Sequence, residues 1–284
     1  MEYLLVAISV SSTVLQNSLF NAEGKRSLRG SGDRFFFNSS MYIVCFILFG
    51  LLALISGRFS VYSLCLGFVF GLLTSLANFT KLTALGKGPM HITVLITTSS
   101  MIIPALSGAI LFNESFSIAK VIAIIALIGS IYVSLARSED KSIKRGWLLC
   151  TVISFFSQGM IGVLQKIHQS SEYKDEQFLF LASAFLFSFA FSAIMGAVQG
   201  GGLQLCGRQY LIAALCGVCG VIMNYLNLTL SGVIPSQIFF PLVNGGAMIL
   251  ISLVSVLVFR EKLVKRQIIG LVGGIISLIA ICIL

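Results

Sequence analysis

Residues 71–92 read GLLTSLANFTKLTALGKGPMHI, and residues 217–238 read GVCGVIMNYLNLTLSGVIPSQI. Laid on each other at an offset of 146, they place Gly71, Asn78, Leu82, Thr83, Gly86, Pro89 and Ile92 on Gly217, Asn224, Leu228, Thr229, Gly232, Pro235 and Ile238. Apolar coincidences are cheap in such sequences, so the Asn, Gly and Pro matches carry the argument. A Gly followed by a Pro marks a turn and a new helix start. Each stretch therefore reads as the end of one apolar helix, a tight turn and the start of the next. The register continues in both directions. With one residue of slack Asn113-Glu114 meets Arg260-Glu261, and with three Val14-Leu15-Gln16 meets Val163-Leu164-Gln165. The chain is thus two related halves, 1–136 and 146–284, joined by a connection at 137–145.

The setting of these halves is a membrane. The 284 residues have a mean hydropathy of +1.01 and 10% charged side chains, against about 25% in soluble domains. No Asp, Glu, Lys or Arg occurs in 3–22, 35–57, 59–80, 88–113, 146–165, 177–207, 209–259 or 267–284. Runs of roughly 18 or more such residues cross a ~30 Å hydrocarbon core as helices. The fold expected is an all-α polytopic membrane protein of ten transmembrane helices: about 3–20, 36–56, 61–85, 90–112, 117–136, 146–167, 177–198, 208–230, 235–259 and 264–284. The longest loop is expected at 21–35, and no room is left for a soluble catalytic domain.

Other classes fall away on composition. The net charge of +9 is spread over loops and helix ends with no basic face, so no nucleic-acid partner is expected. The seven cysteines (45, 65, 150, 206, 216, 219 and 281) lie mostly within apolar spans and read as small buried hydrophobes. Cys216 and Cys219 have redox spacing but no His or acid beside them. Residues 1–22 lack a basic n-region and a cleavage site, so the first span is expected to be retained. No Gly-rich phosphate loop occurs, which argues against ATP-driven pumping by this chain, and no cofactor is expected.

Five helices per half is an odd number, so the second half is expected to enter the membrane upside down. The charges agree: the first half opens on a basic loop (Lys25, Arg26, Arg29, Arg34), whereas the equivalent loop of the second half holds Glu172, Lys174, Asp175 and Glu176. Inverted repeats are a recurrent construction of secondary transporters, with the substrate site near mid-membrane between the halves. Odd-numbered loops and their adjoining helix ends hold about 15 of the 19 Lys and Arg. By the positive-inside rule those loops are cytoplasmic and both termini lie outside.

The two five-helix halves resemble the EamA-type members of the drug/metabolite transporter superfamily. The resemblance spans essentially the whole chain. It is carried by Ala84-Leu85-Gly86-Lys87-Gly88-Pro89 and Leu111-Phe112-Asn113-Glu114-Ser115-Phe116, and by their counterparts Ser231-Gly232-Val233-Ile234-Pro235 and Val258-Phe259-Arg260-Glu261-Lys262-Leu263. Where the family has a small residue before Glu, this chain has Asn113 and Arg260. The resemblance implies a ten-helix carrier of small metabolites, with its cavity formed by the first, third, fourth, sixth, eighth and ninth spans. It also implies cytoplasmic termini, in conflict with the charge count, which we follow here.

Polar residues within the spans are the candidates for a substrate pathway, because polar groups in a membrane are costly and usually functional. All ten acids lie in loops or at helix ends, so a buried carboxylate, on which the small multidrug-resistance branch of the superfamily depends, is not expected. Efflux of lipophilic cations ranks low accordingly. Asn78 and Asn224 are related by the repeat, as are Gln16 and Gln165. With Asn17, Asn227, Gln237 and Asn244 they read either as cavity lining or as hydrogen-bonding glue between helices. Lys81 reads as a pathway cation or as a snorkelling interfacial residue, and His91 as a proton-coupling or an interfacial group. Lys166 and His168 suit a helix C-terminus, and Glu114 and Glu261 a helix start. Pro104 and Pro241 are internal to their spans and favour kinks that serve a gate.

The function expected is that of a secondary transporter, not an enzyme, moving a small neutral, zwitterionic or anionic metabolite across the cell membrane. Its partners are that solute and the lipid bilayer. Gly270, Gly273 and Gly274 suit close packing within the chain or in a homodimer. The rivals are a non-transporting receptor or scaffold on a carrier fold, and a membrane enzyme acting on lipid-linked substrates.

Overall fold

The structure, a computed structural model, describes residues 2–26, 28, 30–112, 117–135, 145–200, 207–258, 260 and 264–283. Among the described residues it is helical throughout: α1 (Glu2–Arg26), α2 (Ser31–Ser56), α3 (Val61–Lys87), α4 (Met90–Thr98), α5 (Ile102–Leu111), α6 (Ile118–Leu135), α7 (Arg145–Gln169), α8 (Gln177–Val198), α9 (Gly207–Val233), α10 (Ser236–Leu257) and α11 (Lys265–Ile283). Among the described residues seven spans are long and apolar enough to cross a bilayer: Glu2–Gly24, Ser31–Ser56, Val61–Lys87, Ile92–Leu111, Arg145–Gln169, Lys174–Val198 and Gly207–Val233. Helices α6, α10 and α11 contain 18, 22 and 19 residues.

Polarity is distributed the opposite way from a soluble protein. Leu54, Ile55, Ile110 and Ile118 project from the surface, while Ser9, Gln16, Asn38, Ser75 and Ser154 are buried. In water such an outer surface would be a large exposed apolar patch; against lipid it is the solvated face. The chain is an integral, multi-pass membrane protein.

Residues matched between the halves do matching work. A Cβ on Gly71 would lie 2.3 Å from the Ala184 carbonyl oxygen of α8, and one on Gly217 would lie 2.8 Å from the Met41 carbonyl oxygen of α2. Gly86 approaches the Gly24 carbonyl of α1, and Gly232 the Gln169 side chain of α7, at 2.5 and 2.8 Å on the same measure. Glycine costs a helix about 1 kcal/mol relative to alanine; here that cost is offset by backbones that approach closely. The approach is hydrogen-bonded: Ser188 Oγ donates to Gly71 O at 2.8 Å, and Cys45 Sγ to Gly217 O at 3.3 Å. Helix α3 lies against α7 and α8 as α9 lies against α1 and α2, α2 lies against α8, and α6 against α11.

Two ends follow from the contacts between connections. At one, Arg58 pairs with Asp175 at 2.7 Å, Ser63 Oγ donates to Glu176 at 2.7 Å, and Lys166 donates to Ser231 O at 3.3 Å and stands over Phe112. At the other, Arg208 pairs with Glu23 at 3.4 Å, Trp147 Nε1 donates to Thr93 Oγ1 at 3.0 Å, and Gly24 meets Gly86. These contacts define a 58/175 end, with the connections after α2, α7 and α9, and a 23/208 end, with those after α1 and α3.

One boundary differs from expectation. The long loop expected at 21–35 contracts to 27–30, because both flanks are buried in the fold. Glu23 is buried against Arg208, Arg34 is buried, and Asp33 accepts from the Gly30 N–H at 3.1 Å as α2 begins. The fourth span, Ile92–Leu111, where Pro104 favours a kink, contains a 3-10 turn, Ser99–Met101, between α4 and α5. Pro104 has no N–H for the carbonyl four residues back, and that carbonyl belongs to Ser100 within the turn. Helix α10 runs unbroken through Pro241. Gly273 and Gly274 face inward, toward Ser130 of α6 and Leu95 of α4. Residues 137–144, Asn113, Glu114, Cys206 and Glu261 lie outside the described residues, as do the side chains of His91 and Pro241.

Candidate functional site

A cavity with several polar side chains lies among the helices. Three helices line it with the same spacing, i, i+3, i+4 and i+7, which is one face of an α-helix. They are α3 with Thr74, Ala77, Asn78 and Lys81, α9 with Gly220, Met223, Asn224 and Asn227, and α7 with Gln158, Ile161, Gly162 and Gln165. The α3 and α9 sets stand 146 residues apart, position for position. Helix α1 adds Thr13 and Gln16, which stand 149 residues before Gly162 and Gln165. The fourth span adds Ser100, Met101 and Pro104; α10 adds Phe239, Phe240, Val243 and Asn244. The empty space among these side chains is about 970 Å³, part of it open to the outside.

The hydrogen bonds separate side chains held by the protein from those left to the cavity. Asn78 Nδ2 donates to the Tyr42 hydroxyl at 2.9 Å, which donates in turn to Thr74 O at 3.1 Å. Asn224 and Asn244 each donate to a carbonyl of their own helix, Gly220 O at 2.8 Å and Phe240 O at 2.9 Å. Asn227 Oδ1 accepts from Ser9 Oγ at 2.6 Å, and Gln16 Nε2 donates to Cys216 O at 3.0 Å. These bonds use one side of each amide and leave the other for a ligand or water. Gln158, Gln165 and Lys81 make no hydrogen bond or ion pair among the described residues. Lys81 is 7% exposed and Gln165 4%. The Lys81 stem thus ends at the cavity and not at the outer interface.

Eight of the residues expected on the pathway or at its kink line the cavity together: Gln16, Asn78, Lys81, Pro104, Gln165, Asn224, Asn227 and Asn244. Asn17 does not. It is buried beside Gln16 on the neighbouring helical face, donating to Thr13 O at 2.8 Å. Gln237 is buried and also outside the lining. His91 and Pro241 sit in α4 and α10. Sequence reasoning missed Gln158, although its spacing of seven from Gln165 put it on the same face. It also missed Thr13, one turn from Gln16. Among the described residues no Asp or Glu lines the cavity, and no three His, Cys, Asp or Glu come together where a metal ion could be held.

No protein-family model and no curated protein matches the chain. Among solved structures 28 chains match. One, described only as "Crystal structure of protein", superposes with a TM-score of 0.69 over 96% of this chain and 95% of that one, at 15% identity. That likeness is one of fold. Fold and site together define a helical membrane protein built around an internal polar cavity.

Proposed function

We propose that this protein is a secondary transporter of a small polar metabolite, a ten-crossing carrier made of two inverted five-helix halves of the EamA type. The observation that carries this reading is the lining itself. Residues 146 apart in α3 and α9 face each other's half across one cavity, as expected of a site on a pseudo-two-fold between inverted repeats. The mirrored glycine contacts of Gly71 and Gly217 support the same relation.

In the mechanism, the two halves exchange conformations about the cavity. The contacts of the 58/175 end and those of the 23/208 end break alternately, so the solute meets one side of the membrane at a time. The 3-10 turn at Ser99–Met101 is tolerated because it lines the cavity and not lipid. A lining whose polar groups are amides, hydroxyls and Lys81, with no carboxylate among the described residues, suits neutral, zwitterionic or anionic solutes and leaves a cation without a counter-charge. Following the charge count, the 23/208 end is cytoplasmic and both termini face outward from the cell membrane.

Liposomes containing the purified protein are expected to take up or exchange such a solute. Asn78→Leu and Asn224→Leu are expected to abolish that flux with expression retained; unchanged transport in both variants would assign these amides to packing. The rival, a non-transporting receptor on the same fold, predicts that solute leaves the reactivity of cysteines engineered at the two ends unchanged.

A further inference from the structure

We propose that the cavity binds a small oxyanion, a carboxylate or phosphate monoester, and that Lys81 is its counter-ion. The proposal rests on the transporter reading for its setting and goes beyond it in naming the substrate class. A buried ammonium with no partner is costly, because its lost hydration is not repaid. Lys81 is such a group: 7% exposed, on the lining, and without a hydrogen bond or ion pair among the described residues. Among the described acids, Glu23 pairs with Arg208 and Asp33 accepts from the Gly30 N–H.

The register of α3 and α7 fixes where the rest of the solute lies. The helices run antiparallel: Arg58, before α3, meets Asp175, after α7, and Gly88, after α3, meets the Trp147 ring near the start of α7. Between these ends Ser154 Oγ donates to Ala77 O at 3.2 Å. Lys81 is four residues from that contact toward the 23/208 end, and Gln158 is four residues from it toward the other. At 1.5 Å per residue the two backbone positions are roughly 12 Å apart along the axis. The cavity is therefore polarised, with a cation at one end and the unpartnered amides of Gln158 and Gln165 toward the other. Arg34, also buried, sets its guanidinium beside Gly86, five residues beyond Lys81, so positive charge continues toward the 23/208 end. An anionic head at Lys81 with an uncharged hydrogen-bonding body along α7 matches this arrangement.

The test uses the full chain in liposomes and in detergent, with lactate and glycerol 3-phosphate as the carboxylate and phosphate probes and glycerol as the neutral control. At least one oxyanion is expected to be taken up and to raise the melting temperature of the solubilised protein, while glycerol does neither. Lys81→Gln is expected to lower the oxyanion's apparent affinity roughly 10- to 100-fold, the scale of one charge-assisted hydrogen bond. Lys81→Arg is expected to recover part of it. The response to lactate alone or to glycerol 3-phosphate alone decides between the two head groups. Oxyanion binding unchanged in Lys81→Gln, or no stabilisation of folded wild-type protein by either oxyanion, overturns the proposal. Glycerol flux that persists in Lys81→Gln would overturn the anion assignment and leave the carrier reading standing. A folded protein that moves none of the three solutes and binds none counts against both.

Discussion

Lys81 and Asn227 occupy corresponding places in the two halves, 146 residues apart, and both line the central cavity. Asn227 is held by Ser9 at 2.6 Å, whereas Lys81 has no partner among the described residues. The correspondence between the two stripes is kept in position and broken in charge. A cation at either place would face the same space. We therefore expect Lys81→Asn to lose oxyanion binding and the double variant Lys81→Asn, Asn227→Lys to recover part of it. Thermal shift with lactate and glycerol 3-phosphate checks this; a double variant no better than the single would show that position as well as charge is essential.

Replacing Lys81 by Met removes an unpaired buried charge. The fold is expected to gain about 1–4 kcal/mol, the range found when buried ionic groups give way to apolar ones, while transport is lost. Melting and flux measured on the same preparation should move in opposite directions. A destabilised Lys81→Met protein would assign the lysine a structural role.

Gly71→Ala and Gly217→Ala are expected to behave alike, each losing about 1–3 kcal/mol through overpacking. In both, the new methyl meets a backbone carbonyl that no rotamer change can move. Gly50→Ala is the control, since a Cβ there finds only the edge of the Phe46 ring at 3.8 Å. Its melting temperature should be unchanged or raised.

The orientation is checked with an impermeant thiol reagent on intact cells, in a Cys65→Ser background because Cys65 is exposed. Arg58 and Arg208 are both more than half exposed and mark opposite ends. Arg58→Cys is expected to be labelled from outside, and Arg208→Cys only after permeabilisation. The reverse pattern would place the termini in the cytoplasm.

The sequence made much of this fold legible because a membrane helix needs a long uncharged run, and the gaps between such runs are conspicuous. Its failures were local. Adjacent Gln16 and Asn17 looked equivalent, yet a helix turns about 100° per residue, and only packing decides which of them faces the cavity. The stretch 21–35 looked like a loop because it is charged, but Glu23 and Arg34 are buried by tertiary partners that periodicity cannot reveal. Gln158 was legible in principle from its spacing to Gln165. The burial of Lys81 was not, because a lysine six residues from the end of α3 has a stem long enough for either the interface or the interior.

The central claim is transport, and flux into protein-containing liposomes tests it most directly. Purified protein should give saturable uptake of a small polar solute that follows its gradient, above the rate in protein-free vesicles. Folded protein that gives no flux of any anionic, zwitterionic or neutral solute in a broad panel, under any imposed gradient, would contradict it.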